Sequence, residues 1–309
     1  MDTASQKVFI VFNPKAGKED EVAQVRAALA QYFVPPQWTL EIYETTGQED
    51  VAALCRAACG QGATLVVSAG GDGTLVGVAT GLVHSPVPLG ILPLGTGNAL
   101  ARALLIPMKL DEAVKLLVSD HDIMEVDALQ VGERCFFSNV SVGISAKMID
   151  DTTTASKKRF GRLAYALAMF KQSSIFRRQW YTLTLDGQAR SIRATEMMIS
   201  SAALQDGSAL SIGPPETLGD GQVEVYVVTA RNLGGYLALV WGLIFRPGRP
   251  AKKLEHLTAR LSVRIEATQR SALVQADGEM IGNTPVEITL IPKAVRVILP
   301  KPVPAAAAK

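Results

Sequence analysis

Cysteine, histidine and net charge are all scarce in this chain. Only three of its 309 residues are cysteine. An odd count with no secretory signal points to a reducing cytoplasm rather than a disulfide framework. Met1–Gln6 is short and polar, and the apolar run Val8–Phe12 is too brief for a signal-peptide core. Cys55 and Cys59 stand four apart on an expected helix, with no Cys or His partner near them in sequence, and are read as packing residues. The three histidines (His84, His121, His256) are scattered and fit neither a metal site nor a triad. No Ser/His/Asp or Cys/His set suggests a covalent intermediate. A net charge of +2 gives no electrostatic argument for nucleic acid as a partner. Long apolar runs are missing too. Leu233–Phe245, about thirteen residues, is too short to span a bilayer and belongs to the buried or interfacial class.

The chain is 48% hydrophobic and 19% charged, the balance of a globular protein, and its length suits two domains. Its most informative stretch is residues 63–74. Leu65–Val67 reads as a buried parallel strand that runs into Gly70, Gly71, Asp72, Gly73 and Thr74, and then into an expected helix over Leu75–Leu82. A strand, a glycine turn and a helix N-terminus in that order form an anion cradle, because the backbone can approach a phosphate and its N–H groups point at it. Asp72 would repel phosphate unless a cation lay between them, which suggests a nucleotide with Mg²⁺. The plainer alternative is a tight turn with a capping Asp. A second cradle follows. The expected strand Leu89–Pro93 leads through Leu94, Gly95, Thr96, Gly97 and Asn98 into a helix that includes Arg102. Neither loop has three spaced glycines or a Walker lysine, so phosphate would be held largely by backbone N–H groups.

The remaining elements alternate at first. Val8–Phe12 is a strand ending in the turn Asn13–Lys18, and a helix is expected over 19–32 with Val22, Val25, Leu29 and Phe33 on one face. Trp38–Glu44 is a strand stopping at Thr45, Thr46 and Gly47, and Asp50–Cys59 is a helix. This order is half of a doubly wound α/β fold. After a helix at Leu110–Val118 and a strand at Ile123–Ala128, the pattern changes. Expected strands at Arg134–Val140, Trp180–Leu185, Ala194–Ser200, Gln222–Val228, Leu261–Ala267, Leu273–Asp277, Val286–Ile291 and Val295–Leu299 read as a β-sandwich, with the boundary near Asp127. Gly213–Gly221 is a loop by composition, and the Pro- and Ala-rich tail from Pro300 is expected to be disordered.

Gly71-Asp72-Gly73-Thr74 together with Pro93-Leu94-Gly95-Thr96-Gly97-Asn98 resembles the diacylglycerol kinase catalytic family, which includes lipid and sphingosine kinases. More distantly it resembles NAD kinases and phosphofructokinases. Phe137–Gly143, Asp220-Gly221 and Asp277-Gly278-Glu279 extend the resemblance along most of the chain. It implies an α/β ATP-binding domain over 1–127, to which 294–309 returns, and a β-sandwich lipid domain over 128–293, with the active site in the cleft between them. It further implies that Asn13, Pro14, Lys15, Ala16, Gly17, Thr45 (or Thr46), Gly70, Gly71, Asp72, Gly73, Thr74, Gly95, Thr96 and Asn98 bind ATP. Asp72 and Asp127 would belong to a Mg²⁺ and water network, and Glu279 would be the general base. A structural Mg²⁺ would be held by the Asp220 side chain and the carbonyls of Thr217 and Gln222, where Gln222 replaces the apolar residue usual in the family.

The implied activity is an ATP- and Mg²⁺-dependent lipid kinase, with diacylglycerol giving phosphatidic acid as the first choice. A sphingoid lipid, ceramide, phosphatidylglycerol or NAD as acceptor, or a silent nucleotide-binding regulator, are the alternatives. A homodimer is expected from the resemblance alone. Two apolar segments fringed by basic residues, Leu163–Phe170 after Lys157–Arg162 and Leu233–Phe245 before Arg246, fit either a peripheral membrane contact with the lipid substrate or core helices with solvated ends.

Overall fold

β-branched and aromatic residues in unbroken runs define the first sheet. The structure, a computed structural model, describes residues 5–16, 21–147, 177–202, 215–245 and 253–301. Gly17, the segment 157–170, Gly213, Pro214 and the tail beyond 301 lie outside the described residues. The chain divides into two compact units, residues 1–126 with 293–309, and residues 127–292.

In the first unit, β1 (Gln6–Phe12) buries Val8–Phe12 completely or nearly so, as a strand covered on both faces must. It pairs in parallel with β2 (Trp38–Glu44) on one side and β3 (Leu65–Gly70) on the other, and β3 pairs with β4 (Leu89–Pro93). The order β2-β1-β3-β4 therefore reverses direction at β1/β3, and such a switch point opens a crevice at the carboxyl ends of the strands. Helices α1 (Glu21–Tyr32), α2 (Val51–Gly60), α3 (Asp72–Gly81), α4 (Ala99–Ala103) and α5 (Leu110–Val118) connect these strands. α1 turns Val25 and Leu29 inward, with Phe33 behind them. α2 and α3 meet at Gly81, where a Cβ would lie 2.6 Å from the Ala52 carbonyl oxygen and 2.7 Å from the Cys55 Cβ. Cys55 is fully buried there, and burial pushes its thiol up to about 12, so it packs and does not react.

The second unit is made of antiparallel strands. After β5 (Asp122–Val131), which begins in the first unit, come β6 (Arg134–Phe136), β7 (Asn139–Gly143), β8 (Gln179–Leu185), β9 (Gln188–Ala194) and β10 (Glu196–Ser200). A 3-10 turn at Pro215–Gly219 precedes β11 (Val223–Val228). α6 (Leu233–Phe245), β12 (Leu254–Ala259), β13 (Ser262–Ala267), β14 (Leu273–Ala276), β15 (Glu279–Asn283) and β16 (Val286–Leu299) complete it. One sheet runs β12-β11-β10-β7-β14-β15, and the other joins the start of β16 to β13, β8 and β9. β16 ends in the first unit, where Val297 pairs with Leu89 of β4.

Register sorts the six-stranded sheet into two faces. Val140, Val142, Met197, Ile199, Val225, Val227, Val274 and Ala276 align on one, all buried. Asn139, Ser141, Glu196, Ser200, Tyr226 and Gln275 align on the other. A strand alternates its side chains between faces, so this second, polar face follows from the sequence once the pairing is known.

Several elements differ from the sequence expectation. α3 starts at Asp72 rather than Leu75, because Gly71, extended at ψ −171°, is the cap and the glycine loop itself winds the first turn. The expected strand Arg134–Val140 is broken at Phe137 and Ser138, whose N–H groups turn to the Asp277 carboxylate. The two expected strands at the end are one, β16, running through Lys293 at φ 51°. β9 and β12 were not expected, since their exposed faces carry Arg, Glu and His in place of a clean apolar alternation.

Candidate functional site

The two glycine loops of the first unit are locked together by Asp72. Its Oδ2 accepts the Asn98 N–H at 2.9 Å and its Oδ1 accepts the Ala99 N–H at 2.7 Å, so the carboxylate of the first loop caps the start of α4 in the second. Asn98 sits in the left-handed region at φ 50° and folds back on its loop, accepting from the Gly95 N–H at 3.1 Å and donating to the Gly95 carbonyl at 2.6 Å. The loops touch backbone to backbone. A Cβ on Gly95 would lie 2.6 Å from the Gly71 Cα, and one on Gly97 would lie 2.6 Å from Asp72 Oδ2. Close approach, rather than left-handed backbone, is what requires glycine at both positions. Arg102 Nε donates to the Gly97 carbonyl at 3.0 Å and braces the loop from α4.

Asn13 spans the switch point. Its backbone N–H donates to the Ala69 carbonyl at 2.9 Å, and its Nδ2 donates to Thr74 Oγ1 at 3.2 Å, tying the end of β1 to the first turn of α3. The Asn13 Oδ1 accepts the Lys15 N–H at 3.0 Å, and Lys15 Nζ donates to the Thr46 carbonyl at 3.3 Å. Pro14 and Ala16 belong to this turn, Ala16 through its N–H on the Asn13 carbonyl at 3.1 Å. Gly70, Gly73 and Thr96 belong to the two loops. Thr45 is buried, with its N–H on the Phe12 carbonyl, whereas Thr46 is exposed. Next to them lies Glu49, which no sequence motif singles out. Its carboxylate accepts from Thr46 Oγ1 and from the N–H groups of Thr46, Gly47 and Gln48, and these bonds hold its pKa at about 2.

The second unit carries the acidic hairpin. Asp277 and Gly278 form the two-residue turn between β14 and β15, both with positive φ (45° and 87°), as a type I′ hairpin requires. The Asp277 carboxylate accepts the N–H groups of Phe137, Ser138 and Asn139 at 2.8 to 3.1 Å, so it fixes the turn to the start of β7. Glu279 is exposed, and its Oε2 pairs with Arg134 Nη2 at 2.7 Å. Behind the turn, the Gly278 N–H donates to Gln275 Oε1 at 2.9 Å. Gln275 Nε2 donates to Asn139 Oδ1 and to Ser141 Oγ.

Asp127 is 1% exposed and accepts the Gly221 N–H at 2.8 Å, which anchors the loop bearing the expected metal donors. Asp220 is exposed, and its Oδ1 accepts the Gln222 N–H at 2.9 Å. Thr217 lies in the 3-10 turn. One carboxylate and backbone carbonyls are hard oxygen donors of the kind Mg²⁺ takes, and a carbonyl ligand is indifferent to the side chain at 222. Among the described residues no group of three or more His, Cys, Asp or Glu could hold a metal. A cation at this loop would therefore rest on one carboxylate, carbonyls and water. The Asp72 oxygens each already accept an N–H, which leaves them suited to a cation reached through water.

Residues 7–131 match the model of the diacylglycerol kinase catalytic domain, and residues 138–299 match that of the YegS C-terminal NAD kinase beta sandwich-like domain. A diacylglycerol kinase of Mycobacterium tuberculosis is 26% identical over 308 residues, covering 96% of each chain. One from Bacillus subtilis is 26% identical over 306 residues, covering 94% of this chain and 96% of its own. A crystal structure of a diacylglycerol kinase from Bacillus anthracis superposes with a TM-score of 0.71 at 24% identity, covering 98% of this chain and 99% of that one.

Proposed function

The chain belongs to the diacylglycerol kinase family of lipid kinases, and on that premise we propose that it transfers the γ-phosphate of ATP to the hydroxyl of diacylglycerol, giving phosphatidic acid. The observation that carries the proposal is the pair of glycine loops at the carboxyl ends of the neighbouring strands β3 and β4, beside the β1/β3 switch point and held in register by Asp72. Donor N–H groups fixed by the fold need no reorganisation when a triphosphate arrives, which is how positioning and electrostatics serve phosphoryl transfer. Asn13, Lys15 and Thr74 stand at the same strand ends.

In the transfer step the lipid oxygen forms a bond to the γ-phosphorus while the bond from that phosphorus to the bridging oxygen of ADP breaks. The hydroxyl proton goes to Glu279, whose Oε2 is held by Arg134 while Oε1 takes the proton. Mg²⁺, when bound with ATP, would neutralise the phosphate charge that faces Asp72. At the second site Asp220 and the carbonyls of Thr217 and Gln222 would hold Mg²⁺, with Asp127 keeping that loop in place through Gly221.

We place the enzyme on the cytoplasmic face of a bilayer as a peripheral protein. No described helix is long and apolar enough to cross a membrane. α6 instead exposes Leu237 and Trp241, four residues apart on one face, with Arg231 just before it, the composition of an interfacial helix. The test is to incubate the protein with radiolabelled ATP, Mg²⁺ and a panel of lipids in mixed micelles, with NAD in a parallel tube. Label in diacylglycerol supports the proposal, whereas label in another lipid or in NAD alone reassigns the acceptor.

A further inference from the structure

The surface around the start of α6 carries charge of one sign. Arg193, near the end of β9, pairs with Trp180 of β8, and its guanidinium carbon lies 5.9 Å from the centroid of that exposed ring. The same register sets Gln179 against Ala194, which brings Arg178 alongside Thr195. Thr195 donates to the Val228 carbonyl through both its N–H and its Oγ1, so the end of β11, and Arg231 just beyond it, lie beside this strand pair. Thr229 bonds the Lys253 carbonyl through its N–H at 2.9 Å, and a Cβ on Gly235 of α6 would lie 2.7 Å from Lys253 Nζ. Three arginines and a lysine therefore gather at one end of the second unit.

None of the four forms an ion pair among the described residues. The acids nearest them in sequence are otherwise placed. Glu255 pairs with Arg190, and Glu196 is buried with Ser145 hydrogen-bonded to it. Desolvation lowers the pKa of Arg178, and repulsion from Arg231 and Arg193 lowers it further. Like charges gathered without an acid repel one another, and an anion between them removes that cost. Guanidinium groups suit phosphate in particular, because each offers its oxygens a planar fork of donors.

The neighbouring face of α6 indicates where the phosphate sits. Leu233–Phe245 contains no charged residue, and a helix that is apolar all round is normally buried. Here Gly235 and Leu239 are buried, whereas Gly234, Leu237, Ala238 and Trp241 are exposed, Leu237 at 55% and Trp241 at 63%. At 3.6 residues per turn those four fall within about a third of the helix circumference. A soluble anion would use the cations and leave this stripe in water. A bilayer containing anionic phospholipid would use both.

We propose that Arg178, Arg193 and Arg231 hold the phosphate of an anionic phospholipid while Leu237 and Trp241 enter the acyl boundary beside it, so that this face docks the enzyme on anionic bilayers. This names the lipid partner of the peripheral contact proposed above, and it rests on that reading only in taking the substrate to be a membrane lipid. Docking is measured without ATP or diacylglycerol, so its outcome is separate from that of the kinase assay.

The test is sedimentation of the full chain with vesicles of dioleoylphosphatidylcholine, alone or mixed with dioleoylphosphatidylglycerol. The wild type should bind the mixed vesicles about a hundredfold more tightly, at roughly fivefold for each of the three arginines. Arg178→Gln, Arg193→Gln and Arg231→Gln combined should abolish that preference. Salt at about 1 M should do the same, because screening then acts within about 3 Å. Trp241→Ser should weaken binding to the mixed vesicles and leave its salt dependence in place. Equal binding of wild type to both vesicles, or a preference kept by the triple variant, overturns the inference. If the triple variant does not fold, Arg231→Glu decides it, since Arg231 is exposed and lies outside any strand or helix. That reversal should cost about twentyfold, and unchanged binding overturns the inference. A calorimetric site for inorganic phosphate that needs these arginines, found together with no vesicle binding, reassigns the cluster to a soluble anion and also overturns it.

Discussion

Replacing Asp72 by Asn should loosen the two glycine loops before it affects any chemistry. Asn keeps one oxygen, which can still accept an N–H, but it turns an NH₂ group toward the other backbone donor. One charge-assisted bond is lost, the second is weakened, and an N–H is left facing an N–H. Bonds to a charged acceptor contribute about 1.5–3 kcal/mol each, and Asp72 is only half-buried, so about 2 kcal/mol is expected for Asn. With a urea m-value of about 2 kcal/mol/M, that moves the unfolding midpoint of the first unit down by about 1 M. Gly97→Ala attacks the same tie from the other side, since its Cβ would lie 2.6 Å from Asp72 Oδ2. The two changes share one interaction, so the double variant should lose little more than either single one. Circular dichroism in urea and ATP titration by calorimetry give both quantities. Full additivity, or an unchanged midpoint in Asp72→Asn, would refute the assignment of Asp72 as the tie between the loops.

Three further outcomes are expected. Glu49 has a folded pKa below its ordinary 4.5, so its stabilising effect is full above about pH 4.5 and is lost as pH falls toward 2. The melting temperatures of wild type and Glu49→Gln should therefore differ at pH 7 and converge across that acid window. Glu196 has the opposite sign. Its raised pKa means that the folded state binds the extra proton, so its contribution is fully present below pH 4.5 and is lost as pH rises to 7. The rise from 4.5 to about 7 corresponds to roughly 3 kcal/mol, so Glu196→Gln should gain on the wild type by about that amount between pH 4.5 and pH 8 in denaturant titrations. Asp277→Ala removes three hydrogen bonds from the acidic hairpin and should cost about 3 kcal/mol, lowering kcat while the KM for ATP holds, as steady-state kinetics would show.

Most of the α/β unit was legible because its strands are short, buried and β-branched, and each is punctuated by Gly, Pro or Thr. Val8–Phe12 and Leu65–Val67 could be little else. The function of Asp72 as a cap on a helix 26 residues later was not legible, because a cap across two loops has no local signature. The second unit was harder. β9 and β12 are exposed on alternate residues and carry charges, which hides their period. The break at Phe137 and Ser138 depends on Asp277, distant in sequence, so no window around 137 contains its cause. Glu279 was reachable only through the motif Asp-Gly-Glu, and Arg134 opposite it has no sequence marker. Glu196 was missed for a similar reason. A lone acid in Thr-Glu-Met-Met-Ile reads as an exposed strand residue until pairing places it beside Gly143 on a buried face.

In the proposed reaction Glu279 takes the proton of a lipid hydroxyl during transfer from ATP. The most direct measurement follows label from γ-labelled ATP into dioleoylglycerol for the wild type and for Glu279→Gln, with ATP affinity measured on both. Labelled phosphatidic acid is expected from the wild type, with kcat lower by at least about a hundredfold in Glu279→Gln at unchanged ATP affinity. Phosphatidic acid formed at a near-normal rate by a folded Glu279→Gln would mean that Glu279 is not the base.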